Sequence, residues 1–238
     1  MHALMMNTPL MISSILKHAE KNFPEVEMVS VTVDHPRHRQ NNRIFARRCR
    51  QLANVLESLG AAFGDRIGTL AWNDFRHMEL YYAVSGSGMV CHTINPKLFP
   101  EQVAYIINHA EDKILFVDVL VLPLLEALSE HLAKVEIIVV LTEKTHMPES
   151  NLPNLLCYEE LLEAQSDVYE WPEFDENTAS GMCYTSGTTG NPKGVVYSHR
   201  STVLHALSGA LPDVTGASNM TTSLPVVPMF HVNAWGAP

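Results

Sequence analysis

Cysteine is scarce and scattered in this sequence: Cys49, Cys91, Cys157 and Cys183 stand far apart, with no C-x-x-C pair or other zinc spacing. That excludes a disulfide scaffold and a thiolate zinc site, and it suits a reducing, cytoplasmic setting. Positive charge is also short. Sixteen Lys and Arg against 26 Asp and Glu leave a formal net charge of -10. Such a surface repels nucleic acid and anionic lipid unless a local basic patch overrides it. The densest basic run is Arg37, Arg39, Arg43, Arg47, Arg48 and Arg50; it falls partly at helical spacing and reads as a solvated helix face rather than a nucleic-acid site. His35 and His38 flank Pro36 without a Cys or acidic neighbour at ligand spacing, so no metal cluster is expected there. Long apolar runs are missing too. The longest, Ile114 to Leu125, is interrupted by Asp118 and Pro123 and is too short for a transmembrane segment. The start of the chain has no basic n-region, and Asn7, Thr8 and Pro9 interrupt its apolar residues, so a signal peptide does not fit. Internal repeats and low-complexity tracts are absent as well.

What remains is an ordinary globular balance of 46% hydrophobic and 18% charged residues. Ile44, Phe45, Cys49, Leu52, Ala53, Leu56 and Leu59 recur at three and four residues before Gly60, which predicts an amphipathic helix and its stop. Further helices are predicted from Phe75 to about Val84, over Glu101–His109 and over Leu120–Leu132. Strands are predicted at Arg66–Trp72, Met89–Ile94, Ile114–Val117 and Val135–Leu141. The last two runs are continuously apolar rather than alternating, as strands covered on both faces must be. The fold class that follows is α/β, with mixed, largely parallel sheets flanked by helices. Residues 142–154 turn polar and read as a loop. Residues 166–178 carry Pro172 and five acidic residues, and read as a linker between a first α/β sub-lobe (1–165) and a second (179–238). Ser223–Phe230 reads as a final strand.

The most informative stretch is Tyr184-Thr185-Ser186-Gly187-Thr188-Thr189-Gly190-Asn191-Pro192-Lys193-Gly194, placed between two strand-like runs. Its glycines permit positive φ and close main-chain approach to a ligand. The hydroxyls of Thr185, Ser186, Thr188 and Thr189 can donate to phosphate oxygens, and one can ligate magnesium. Lys193 adds a mobile positive charge. Together these groups suit a nucleotide triphosphate, whose charge must be neutralised before a nucleophile approaches phosphorus. A Walker A loop needs Gly-Lys-Ser/Thr followed by a helix. Here Pro192 precedes Lys193 and a strand follows, so that class is set aside. A decorative Ser/Thr/Gly turn would be far commoner in general. Yet eight specified positions at about 6% each arise by accident on the order of 10⁻⁹ per site or less.

The segment TSGTTGNPKG resembles the signature of the adenylate-forming superfamily, which includes acyl-CoA synthetases, luciferases and peptide-synthetase adenylation domains. The likeness extends to GDRIGTLAWN from Gly64, INPKLFPEQVAYIINHAEDKILFVD from Ile94 and SLPVVPMFHVNAWG from Ser223. It is nearest to the bacterial medium- and long-chain fatty acyl-CoA ligases. The resemblance implies part of the large N-terminal domain of such an enzyme, with a fatty acid, ATP and coenzyme A as partners and magnesium as cofactor; homodimerisation stays open. It implies Thr185 as the magnesium-contacting hydroxyl, Ser186, Gly187, Thr188, Thr189 and Gly190 around the β- and γ-phosphates, and Lys193 on the departing pyrophosphate. It places His231 beside the acyl-adenylate pocket, in a catalytic and substrate-contacting role, and Trp235 as a gate to the acyl tunnel. By spacing alone those two residues would only share one face of a helix. The substrate carboxylate is itself the nucleophile, so no Ser-His or Cys-His dyad is needed. The sequence stops before the later adenine-binding and acidic magnesium motif, the ribose-binding aspartate, the hinge and the C-terminal lysine. The 238-residue piece is therefore expected to be inactive alone and its parent polypeptide active. Two other classes stay open: an adenylating enzyme with a carrier-protein or amine acceptor, and a non-catalytic nucleotide-binding module.

Overall fold

Runs without polar alternation form the centre of the molecule, because only strands covered on both faces can bury every side chain. The computed structural model describes residues 1, 5–185, 190–236 and 238. In chain order its elements are α1 (Ile12–Asn22), β1 (Glu27–Ser30), β2 (His38–Asn41), α2 (Asn42–Ser58), β3 (Arg66–Leu70), α3 (Phe75–Gly86), β4 (Val90–Thr93), α4 (Pro100–Ala110) and β5 (Ile114–Val117). They continue with α5 (Leu122–Leu128), β6 (Ile137–Val140), β7 (Leu155–Cys157), α6 (Tyr158–Glu163), β8 (Ala179–Thr185), β9 (Lys193–Ser198) and α7 (His199–Gly209). Strands β1 and β2 form a separate antiparallel ribbon. The others make one seven-stranded sheet in the order β7-β6-β5-β3-β4-β8-β9. All its pairings are parallel except β8 with β9.

Helices cover both faces of this sheet. On one side Leu52, Leu56, Leu80, Phe116 and Tyr158 share a core; on the other Val103, Ile107, Leu115, Val117 and Leu125 do. Helix α2 follows its pattern closely: Asn41 caps it by accepting the Ile44 N–H at 3.0 Å, and Gly60 ends the turn with φ +82°.

Three local expectations change. The helix expected over Leu120–Leu132 is split into 3-10 turns at Val119–Val121 and Ser129–His131 around a seven-residue α5. Pro123 sits in the first turn of α5, where its missing N–H leaves no bond unmade. Ser223–Phe230 forms no ladder among the described residues. Asn73 holds it instead, donating from Nδ2 to the Pro225 and Val227 carbonyls and accepting the Met229 N–H. The basic run is not wholly solvated either. The Arg48 side chain is 15% exposed and bonds Glu79 and Glu159, while Arg39 and Arg43 stay on the surface.

The stretch 166–178 lies along α2 and α3. Asn54 donates to the Ser166 and Val168 carbonyls, Arg50 donates to Asp167 O, and the Trp171 ring packs at Gly86, where a Cβ would come within 2.7 Å of it. Strands before and after this stretch belong to the same sheet, with β8 beside β4.

His199, fully buried at the start of α7, ties that helix to α1: its Nδ1 accepts the Ile12 N–H at 3.2 Å. Burial pushes its pKa down to about 4, and does the same for His77. An unfolded imidazole titrates near ~6.5. Between these values the unfolded chain binds more protons, so stability rises with pH through the window and is lost as pH falls through it. His199→Gln keeps an acceptor but does not titrate. Urea midpoints between pH 7 and pH 4 should therefore fall less steeply in the variant, by up to about one proton's worth of slope. An unchanged slope would exclude His199 as a source of the acid loss.

Candidate active site

Strand β8 ends at Thr185 and β9 begins at Lys193, and the register pairs these two residues directly. Paired residues point to the same face, with Cβ atoms about 4.5–5.5 Å apart. The exposed hydroxyl and the exposed ammonium therefore stand side by side at the mouth of the hairpin. Ser186, Gly187, Thr188 and Thr189 lie outside the described residues. Gly190, on the returning side, has φ +87° with open space where a Cβ would go, a backbone that favours glycine. Pro192 and a strand follow it, not a helix.

Thr185 lies at the carboxyl end of β8, and β8 runs parallel to β4 and through it to β3. The loops after all three strands thus open on one edge. In open α/β sheets that edge is where ligands bind. The segment Pro228–Gly236 crosses it. Tyr81 donates its hydroxyl to Met229 O at 2.5 Å, Thr93 Oγ1 donates to Asn233 Oδ1 at 3.1 Å, and Phe230 meets Trp72 edge to face at 5.6 Å. Gly181 leaves room for the Asn233 amide, whose Nδ2 would lie 3.2 Å from an added Cβ.

Val232, Asn233, Ala234 and Trp235 have φ between +48° and +58°, a left-handed turn. The right-handed helix face expected for His231 and Trp235 is therefore not formed. His231 is exposed. Trp235 is 67% exposed, and its carbonyl accepts from His205 Nε2 of α7 at 2.7 Å. The structure thus brings Thr185, Gly190 and Lys193 together on the hairpin, and it seats the His231–Trp235 turn against β8 through Asn233. Sequence reasoning missed the anchors Asn73, Tyr81, Thr93 and Asn233. Asn73 had one signal: a lone amide just past a buried parallel strand, where a polar group has no role in the core.

Electrostatics leave this edge without a thiol nucleophile. Burial raises the pKa of Cys183, keeping it protonated, and pushes the Tyr184 hydroxyl up to about 12. Oxygen and ammonium donors around a glycine turn fit a phosphate with a hard cation, to which Thr185 offers an exposed oxygen among the described residues. The one trio there at metal-ligand distance is Asp34, Glu143 and His146. Its Asp34 carboxylate already accepts from Arg76, Thr142 and the Glu143 N–H.

A family model described as AMP-binding enzyme matches residues 16–237. The chain belongs to that family. It is 53% identical over 234 residues to the 3-methylmercaptopropionyl-CoA ligase of Ruegeria lacuscaerulensis, and 50% identical over 234 residues to the medium-chain-fatty-acid–CoA ligase of Ectopseudomonas oleovorans. Each alignment takes in 98% of this chain and 43% of the relative, so the chain spans less than half of either protein. Its fold matches a long-chain-fatty-acid-CoA ligase structure from Archaeoglobus fulgidus with a TM-score of 0.80 at 21% identity, over 97% of this chain and 45% of that one. Among the described residues, no helix of this chain is long and apolar enough to cross a membrane.

Proposed function

We propose that this chain carries the phosphate-holding part of an enzyme that activates a carboxylic acid with ATP. The acid carboxylate attacks the α-phosphorus, forming an acyl-adenylate and releasing pyrophosphate. The thiol of coenzyme A then takes the acyl group and releases AMP. The observation that carries this reading is the pairing of Thr185 with Lys193 at the end of β8, around a loop of the family's composition. Lys193 balances charge on the departing pyrophosphate, Thr185 offers an oxygen to magnesium, and the Ser186–Gly190 segment encloses the β- and γ-phosphates. Magnesium, held in part by Thr185, would supply further charge neutralisation for the phosphates. His231 borders the acyl-adenylate, and Trp235 gates the acyl tunnel.

A fatty acid is the substrate class favoured, and the setting is the cytoplasm. The relatives' names span 3-methylmercaptopropionate and medium-chain fatty acids, which motivates a test across acid lengths. With the full-length polypeptide, labelled pyrophosphate should return into ATP only when an acid is present, best with medium or longer chains. Absence of exchange across a panel from short to long acids would favour a nucleotide-binding module without chemistry. Exchange without acyl-CoA formation would favour a carrier-protein or amine acceptor.

A further inference from the structure

The tip of the hairpin overhangs the sheet. The last rung between β8 and β4 joins Cys183 to Thr93, while the β8–β9 ladder continues through Tyr184–Gly194 and Thr185–Lys193. Among the described residues, strand β9 has no second neighbour. Two rungs therefore project past the support of β4, and those rungs carry both groups assigned to phosphate. Without lateral support, Thr185 and Lys193 would be held only by each other's strand, whereas phosphoryl chemistry needs its charges held in place.

Tyr184 supplies a lateral tie, and three other elements fix it. Its hydroxyl shares a 2.7 Å hydrogen bond with His109 Nδ1 in the last turn of α4. Its ring centroid lies 5.3 Å from that of His92 on β4. Across the hairpin it occupies the room left by Gly194, where a Cβ would approach the ring to 3.2 Å. The His92 ring is itself locked: Nδ1 lies 2.8 Å from Asp112 Oδ2, and both side chains are 0% exposed. Asp112 in turn lies beside Gly68, where a Cβ would come within 3.1 Å of the carboxylate.

We propose that Tyr184 is a positioning residue for the phosphate hairpin, bracing Thr185 and Lys193 against His109 of α4 and against the buried His92–Asp112 pair. This rests on the reading of the hairpin as the phosphate holder. The tyrosine touches no reacting atom; it acts through the two rungs it steadies.

The test uses the full-length polypeptide and pyrophosphate exchange, with KM for ATP and KM for the acid measured separately. Tyr184→Phe removes only the hydroxyl. His109→Ala removes its partner from an exposed position, where folding is little affected. Each should raise KM for ATP about threefold to tenfold, the worth of one neutral hydrogen bond, and leave KM for the acid and the melting temperature in place. His109→Gln, whose amide can again bond the hydroxyl, should restore much of the loss. If Lys193→Ala collapses exchange while the Tyr184 and His109 variants leave KM for ATP unchanged, the brace is refuted and the reading of the hairpin stands. If both KM values rise together with a lowered melting temperature, the tyrosine is a packing residue and the proposal fails. If Lys193→Ala leaves exchange intact, the hairpin reading falls, and the brace falls with it.

Discussion

Lys193→Ala in the full-length polypeptide is expected to slow acid-dependent pyrophosphate exchange by roughly 10²- to 10³-fold, the cost of losing one preorganised charge-stabilising donor. The ammonium sits across from Thr185 on the same face of the hairpin, so both groups reach one ligand. As pyrophosphate leaves, negative charge concentrates on its oxygens. A fixed cation there stabilises the transition state more than bound ATP, so the loss should appear mainly in kcat. Thr185→Ala removes a neutral hydroxyl and should cost less, with a shifted magnesium dependence. Lys193→Arg keeps the charge but brings a planar, longer group, and should recover only part of the rate. Exchange within a factor of two of the parent protein in Lys193→Ala would remove this residue from the chemistry.

The second large effect concerns stability. Arg76→Met is expected to destabilise the fold by about 3–5 kcal/mol, measured by urea unfolding, because it leaves buried carboxylates without their partner. The Arg76 side chain is 0% exposed and Asp34 2%. The guanidinium donates to Asp34 at 2.8 and 3.0 Å, to Glu159 at 2.7 Å and to the Leu141 carbonyl at 3.2 Å. Although burial opposes it, the Arg76 bond holds the Asp34 carboxyl well below the ordinary carboxylate range. Glu79, also fully buried, accepts from Arg48 and from the Tyr158 hydroxyl, so charge and hydrogen bonding are closed around one network. An exposed pair offers the contrast. Lys144 and Glu160 are 77% and 44% exposed, and Lys144→Ala should leave the urea midpoint nearly where it is. A loss below ~1 kcal/mol in Arg76→Met would show that desolvation of these ions cancels their attraction.

These two results probe parts of the chain that were unequally legible. The strand Ile114–Val117 could be read to the residue, since four buried apolar residues in a row have few alternatives. The hairpin was readable because its composition is costly to explain by chance, and its strands formed where the flanking runs indicated. Arg48 was misread as solvated, because its partners Glu79 and Glu159 lie far off in sequence and no local spacing reveals them. The turn at Val232–Trp235 was equally hidden. Chirality favours right-handed winding locally, so only anchors from α3, β4 and α7, distant in sequence, account for the left-handed turn observed. The brace on Tyr184 combines groups from α4, β4 and Asp112, two residues before β5, a convergence that only the folded sheet creates.

Strand order also dictates a sequence of events during synthesis. Every strand from β3 to β7 is complete in the chain by Cys157, yet Cys91 of β4 finds its outer partner only at Gly181. Until then the outer edge of β4 has no strand to pair with, and an unpaired apolar parallel edge is the kind that invites misassembly. The β8–β9 hairpin, last of the sheet in the chain, covers that edge, so one element both completes β4 and carries Thr185 and Lys193.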